Sequence, residues 1–237
     1  MNDFNCWETK FKPCCYSKRL LTKISLINEI AERKVDLLEI KKAIYYTRKY
    51  HGVQMRQSGQ PYYSHPLEVA YNVADHVFKT DILVTSILHD TLEDTELTMG
   101  MIDTIFGSNI AVQVEGLTRV KANRKISSAE TVKLLCLQGK DDPLVVKYFD
   151  RLHNMQTIVA KPQEKRFKVA KETIEQFISL GIYLEDRISN MFNADGLMVD
   201  LCYQQLGVQQ NLQDLMSFSE DNYQLPFLKF QNEKYHI

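Results

Sequence analysis

The chain is short of the features that would place it in several large classes of protein. Its net charge is −1, from 29 basic and 30 acidic residues, so nothing global favours nucleic acid or an anionic membrane as partner. No apolar run approaches the roughly 18 residues that a membrane-spanning helix needs. The opening MNDFNCWETK lacks an apolar core and does not read as a secretion signal. Cysteine is sparse: Cys6, Cys14, Cys15, Cys136 and Cys202 are odd in number and irregularly spaced. That pattern argues against a disulfide framework and for a reducing cytoplasm. The adjacent Cys14 and Cys15 are not a CxxC pair, so a zinc site built on them has little support. There is no internal repeat, heptad array or low-complexity tract, and no βαβ rhythm.

What is present is an ordinary globular composition, 44% apolar and 25% charged, in 237 residues. That length is enough for one large domain or two small ones. From Ser25 onward, apolar residues recur at three- and four-residue steps: Leu26, Ile27, Ile30, then Leu37, Leu38, Ala43, Ile44. Gly52 ends that region, and Gln57 to Pro61 reads as a turn. A helix should start near Ser64 or His65, with Pro66 in its first turn, and run to about Val77. Asp81 should cap a very apolar helix over Ile82–Leu92. Thr98 opens another that Gly107 stops, the basic stretch 118–128 reads as an exposed loop, and a long helix is expected from Gln163 to Leu180. The expected organisation is a variable lead-in at 1–24, an all-α domain at 25–195, and a helical or irregular extension at 196–237.

Three polar islands interrupt these apolar helices. His89-Asp90 is followed at once by Glu93-Asp94, Asp150 with His153 and Asn154 lies sixty residues beyond Asp90, and His65 lies upstream. Glu93 and Asp94 each stand four residues after His89 and Asp90, one helical turn further along. Two imidazoles and two carboxylates form a mixed nitrogen and oxygen set suited to manganese, iron, zinc or cobalt. Such a set leaves room for water, which is a catalytic rather than a closed structural arrangement. Taken singly, His65 or His153 reads more simply as a packing or capping residue, and Glu93-Asp94 as a solvated helix end. Taken together, so many acids at the end of an apolar helix would repel one another unless something positive sits among them. Arg56, Lys165 and Arg166 are the local cations that could meet phosphate, although Lys165 and Arg166 alone fit an exposed face equally well.

These residues fall in strings that resemble the hydrolase domain of the RelA/SpoT alarmone enzymes, a branch of the HD phosphohydrolases. The strings are HGVQMRQSGQPYYSHP (residues 51–66), LHDTLEDT (88–95), Phe106-Gly107, EGLTR (115–119), DRLHNMQT (150–157), and Lys165 through Thr173. They cover about residues 25–185 in the right order. The resemblance implies an all-helical HD-domain bundle. It implies that His65, His89, Asp90 and Asp150 bind one divalent metal, usually manganese, and that Glu93 and Asp94 position and activate water. It places Arg56 against phosphate, Ser58, Asn154 and Thr157 in a nucleotide pocket, and Lys165 at a basic pocket position. His153 belongs to the motif as a supporting or packing residue. The implied substrate is guanosine tetra- or pentaphosphate, cut at its 3′-pyrophosphate to GDP or GTP. No nucleic acid or membrane partner is implied, and a homo-oligomer is compatible with the sequence.

The chain departs from the family at Gln57, where a lysine or arginine is common, and at Phe149, where alanine is usual. The segment before Asp150 looks several residues short, and a family Arg-Lys-Met string is not visible beyond Glu130. The resemblance also implies no synthetase domain within these residues, so the chain reads as a stand-alone hydrolase or a shortened derivative. Two alternatives stand beside this reading: an HD hydrolase acting on another nucleotide, and an inactive derivative that binds nucleotide or protein.

Overall fold

A computed structural model describes residues 6–121, 124–185, 187–188 and 192–206. They are almost wholly helical, as the periodicity predicts. The chain divides into two compact units, one through His153 and one from Asn154 onward.

The first unit opens with α1 (Trp7–Lys10) and α2 (Cys15–Ile30), followed by α3 (Leu37–His51), α4 (Ser64–Val73), α5 (Thr80–Leu88) and the single turn α6 (Thr91–Asp94). Then come α7 (Met99–Phe106), α8 (Ser108–Leu117), the two-residue strands β1 (Val120–Lys121) and β2 (Arg124–Lys125), α9 (Ser128–Leu137) and α10 (Asp141–Gln156). The end of α10 crosses into the second unit. The helix boundaries follow local chemistry. The carboxylate of Asp36 accepts from the amides of Leu38 and Glu39 to open α3, and Gly52, at φ +52°, closes it. Thr98 caps α7, and Ser127 with Glu130 forms a reciprocal capping box on α9. Each such cap is worth about 1 kcal/mol.

α5 is the centre of this unit. All its residues from Ile82 to Leu88 are buried, and it packs against α3, α4 and α8. Burial on every side explains why its sequence is apolar all round rather than on one stripe. Truncating a fully buried member such as Leu83 to alanine should cost about 2–5 kcal/mol.

Four expectations need correction. The helix expected from Ser25 begins at Cys15, because Leu20 and Ile24, one turn apart, are fully buried on its inner face. The expected lead-in at 1–24 therefore shares a helix with the domain it was meant to precede, while its residues 1–5 lie outside the described set. The helix expected over Ile82–Leu92 breaks after Leu88, and α4 stops at Val73 rather than near Val77. The basic stretch is not only a loop: β1 and β2 pair antiparallel, with Val120 opposite Lys125 and Lys121 opposite Arg124.

The second unit holds a 3₁₀ turn (Ile158–Ala160), α11 (Gln163–Glu172), a π-helical stretch (Thr173–Phe177), α12 (Ile178–Glu185) and α13 (Phe192–Leu206). α13 packs on α11 and α12, with Met198 and Cys202 buried. The expected extension at 196–237 coincides with the end of α13 as far as Leu206, and the rest lies outside the described residues. No described helix is long and apolar enough to cross a membrane.

Candidate metal centre

The break after α5 builds the site. Three carbonyls at the end of that helix would lack partners, and each takes a side-chain donor instead. Thr47 Oγ1 donates to Ile87 O at 2.8 Å, Thr91 Oγ1 to Leu88 O at 2.6 Å, and His89 Nδ1 to Ser86 O at 2.8 Å. The last bond has a chemical consequence. It places the ring proton of His89 on Nδ1 and leaves the Nε2 lone pair for another partner. That Nε2 is buried and makes no hydrogen bond.

His65, in the first turn of α4, is set by a parallel device. Its Nδ1 lies 2.7 Å from His153 Nδ1, and Arg56 reaches the same His153 nitrogen at 3.1 Å. Arginine can only donate, so His153 Nδ1 accepts, and His65 must present an Nδ1 proton to it. Burial, reinforced by His65 and Arg56, pushes the pKa of His153 down to about 3, so it stays a neutral acceptor at working pH. His65 Nε2 is thereby turned over to the cluster as a lone-pair donor.

The carboxylates close the cradle. Asp150, three residues before His153 on α10, places Oδ1 at 3.1 Å from His65 Nε2 and 3.9 Å from His89 Nε2. Asp90 places Oδ1 at 3.1 Å from His89 Nε2 and Oδ2 at 3.5 Å from His65 Nε2. One ligand atom each from His65, His89 and Asp150 all lie within 4.8 Å of one another. Donors bonded at about 2.1 Å to one first-row ion lie roughly 3.0–3.4 Å apart; the 3.1 and 3.5 Å separations are close to that, and the 3.9 Å one would shorten around a shared cation. Two neutral imidazoles and two carboxylates also balance a divalent charge. Lys147 Nζ supports Asp150 Oδ2 at 3.2 Å from one turn earlier.

The electrostatics agree with a site built for a cation. Burial works against ionising Asp90, but His89 and then His65 hold its carboxyl well below the usual range. Burial likewise opposes ionisation of Asp150, and Lys147 with the two histidines overrides it. His65 is lowered, chiefly by burial. Burial also pushes His89 down, but Asp90 and Asp150 more than offset this and raise it to about 10. In the metal-free protein a proton on His89 therefore provides the positive charge that the acids need.

The other residues singled out from the sequence divide into two groups. Glu93 and Asp94 lie on α6, just after the break, and face an open cleft of about 720 Å³ lined also by Lys49, Tyr50, Gln54 and Glu96. They do not share one environment. Glu93, only 8% exposed, accepts from the Arg119 amide at 2.6 Å, with the Arg119 guanidinium at 3.4 Å and Lys125 at 3.9 Å. Asp94 accepts from the Tyr62 hydroxyl at 2.6 Å. Arg56 joins the cradle through His153, and Ser58 sits exposed in the turn that follows it. Asn154, Thr157 and Lys165 belong to the second unit, where the Thr157 hydroxyl donates to Asn154 O at 3.4 Å and Lys165 is exposed.

Sequence reasoning missed several members. Lys147 could have been found from its three-residue spacing to Asp150. Tyr62, Gln54 and Arg119 stand 32, 40 and 26 residues from their partners and carry no periodic signal. Phe149, which departs from the family pattern, stacks on His76 at 4.8 Å between ring centroids.

An almost wholly helical domain that gathers His65 from α4, His89 and Asp90 from the break between α5 and α6, and Asp150 from α10 around the space for one cation defines the class of metal-dependent HD proteins. The family pattern described as HD domain matches residues 43–182, and the chain belongs to that family. Among its relatives, the GTP pyrophosphokinase rsh of Brucella ovis is 38% identical over 169 residues, 68% of this chain and 22% of that protein. The guanosine-3′,5′-bis(diphosphate) 3′-pyrophosphohydrolase of Aquifex aeolicus is 40% identical over 145 residues, 60% of this chain and 21% of that protein. The chain thus spans about a fifth of the length of these curated relatives. A solved structure described as a metazoan ortholog of SpoT that hydrolyzes ppGpp superposes with a TM-score of 0.54 at 21% identity. The match covers 71% of this chain and 96% of that one, and it establishes the shared fold. The RelA/SpoT resemblance and the all-α HD fold expected from the sequence both hold.

Proposed function

We propose that this chain removes the 3′-pyrophosphate from guanosine 3′,5′-bis(diphosphate), giving GDP and pyrophosphate, with manganese as the cation. The observation that carries the reading is the convergence of His65, His89, Asp90 and Asp150, with two further acids on the next helical turn. The name of the Aquifex relative supports the choice of substrate. A divalent ion held by the cradle supplies Lewis acidity toward a phosphoryl oxygen and lowers the pKa of water. Water adds to the phosphorus bonded to the ribose 3′ oxygen, the P–O3′ bond breaks, and pyrophosphate departs.

The chain's own residues do the rest. Asp94 takes a proton from the attacking water, and that proton is then available for the ribose oxygen. Glu93, held among the Arg119 amide, the guanidinium and Lys125, fixes α6 beside the cradle and orients the same water. Arg56 is half-buried, and burial lowers its pKa from the usual guanidinium value. Its guanidinium faces the cradle through His153 and can offset charge developing on the phosphoryl oxygens. Ser58, Asn154, Thr157 and Lys165 are the proposed nucleotide contacts, and the cytoplasm is the proposed compartment.

The test is manganese-dependent release of pyrophosphate from guanosine tetraphosphate by the parent and by Asp90→Ala. Release by the parent alone is expected. No release, or equal release from both, overturns the proposal. Competition with a deoxynucleoside triphosphate separates an alarmone hydrolase from an HD hydrolase of another nucleotide.

A further inference from the structure

The segment between α3 and α4 folds back on itself. Tyr62 N donates to Gln54 O at 2.9 Å, Arg56 N to Gln60 O at 2.8 Å, and Gly59 N to Arg56 O at 2.9 Å. An isolated antiparallel bridge joins Met55 to Pro61. Gly59, at φ +81°, makes the tip where a side chain would be strained.

This small hairpin reaches Asp94 from two directions. The Tyr62 hydroxyl donates to Asp94 Oδ2 at 2.6 Å, while Gln54 Nε2 donates to the Asp94 main-chain oxygen at 2.9 Å. Behind both stands His51, 1% exposed, the last residue of α3. Its ring stacks on Tyr62 at 4.8 Å between centroids and 21° between planes. Its Nδ1 lies 2.8 Å from Gln54 Oε1. The Gln54 amide nitrogen is spent on Asp94, so Oε1 accepts and His51 donates from Nδ1. His51 Nε2 is then a buried acceptor that makes no hydrogen bond.

The protonation states keep these bonds in one direction. Burial lowers the pKa of His51 and favours the neutral ring with one proton. Burial first, then the nearby Asp90 and the bond to Asp94, raise the phenol of Tyr62 well beyond its ordinary value. Tyr62 is therefore a hydrogen-bond donor at every working pH.

We propose that His51, Gln54 and Tyr62 are positioning residues that clamp Asp94 for proton transfer, a role distinct from the cationic anchoring of Glu93. The proposal rests on the reading of Asp94 as the proton carrier. Tyr62 commits Oδ2 as an acceptor, so the transferred proton goes to Oδ1. Gln54 fixes the backbone under that carboxylate, which limits its swing. His51 couples the two contacts, through the stacked ring on one side and the amide on the other.

Tyr62→Phe is the decisive variant, because it keeps the stacked ring and deletes only the donor. With guanosine tetraphosphate and manganese, kcat should fall about 10- to 100-fold, part of the ~10²–10⁴ that a positioned acid or base supplies. KM should stay within about twofold, and manganese affinity measured by calorimetry should not change. His51→Phe keeps the stack, loses the bond to Gln54, and should show a smaller drop in kcat of the same kind. Unchanged kcat in Tyr62→Phe, a raised KM at constant kcat, or weakened manganese binding each overturns the clamp. A crystal structure of Tyr62→Phe provides a readout independent of substrate: the Asp94 carboxylate should leave its parental orientation, and an unmoved carboxylate overturns the proposal. An inactive parent would count against the proposed substrate, while the crystal structure would still decide the clamp.

Discussion

In the cradle, each imidazole is oriented by a neighbour within the same buried cluster. Ser86 O takes the proton of His89, His153 takes that of His65, and the two freed nitrogens meet Asp90 and Asp150. On α6, each carboxylate is held by a residue from an outlying loop: Glu93 by Arg119 before the β hairpin, and Asp94 by Tyr62 from the α3–α4 segment. The cradle is thus held mostly from within, with Arg56 alone reaching its His153 from the α3–α4 segment, whereas the acidic turn depends on two arms that reach across to it. A cation needs fixed lone pairs, and proton transfer needs a group that meets water, as the exposed Asp94 does. The two regions differ in the way those tasks require.

The comparison can be broken most severely at the cradle. His65→Ala should lose more than about 100-fold in manganese affinity, beyond the loss expected for an outer partner, and hydrolysis should fall to background. Calorimetry and pyrophosphate release check both. Asp94→Asn should keep its metal, yet kcat should fall by about 10²–10⁴. Equal metal content with lost turnover is the signature that separates the two regions. His153→Phe removes the acceptor that orients His65 and should weaken manganese binding by about 10- to 100-fold.

A pH series sharpens the contrast further. In the metal-free protein, burial lowers His89, but Asp90 and Asp150 override it and raise the imidazole to about 10. Each ion that binds must then expel one proton, so affinity should rise with pH, by about tenfold per unit, until pH approaches that value. Proton release is read by calorimetry in buffers of different ionisation enthalpy, and an affinity flat from pH 6 to pH 9 would refute it. The smallest effect belongs to Arg119→Ala. The guanidinium is 39% exposed and the backbone amide bond to Glu93 survives the change. Turnover should therefore fall by no more than about fivefold, as for other exposed ion pairs.

Much of this was legible in the sequence, for physical reasons that differ by element. α3 announces itself because one face is apolar at helical spacing and Gly52 stops it. α2 hides its start, because Leu20 and Ile24 are diluted by lysines and a serine on the exposed face. The break after Leu88 is invisible to periodicity, since Leu92 follows Leu88 at a four-residue, helical step. Carbonyls satisfied by Thr47, His89 and Thr91, rather than any proline or glycine, end that helix. The cradle residues could be named because their order forms a motif. Tyr62, Gln54 and Arg119 could not, because a hydrogen bond across some thirty residues leaves no trace in local pattern.

The nine residues 54–62 touch both regions at once. Arg56 extends from one flank of this segment to His153, and Tyr62 from the other to Asp94. Its cross-bridges make it stiff, so the two reaches cannot slip independently. It works as a yoke. Anything that levered it outward would slacken the support of His65 and the anchor of Asp94 in one stroke, so hold on a cation and turnover should fall together.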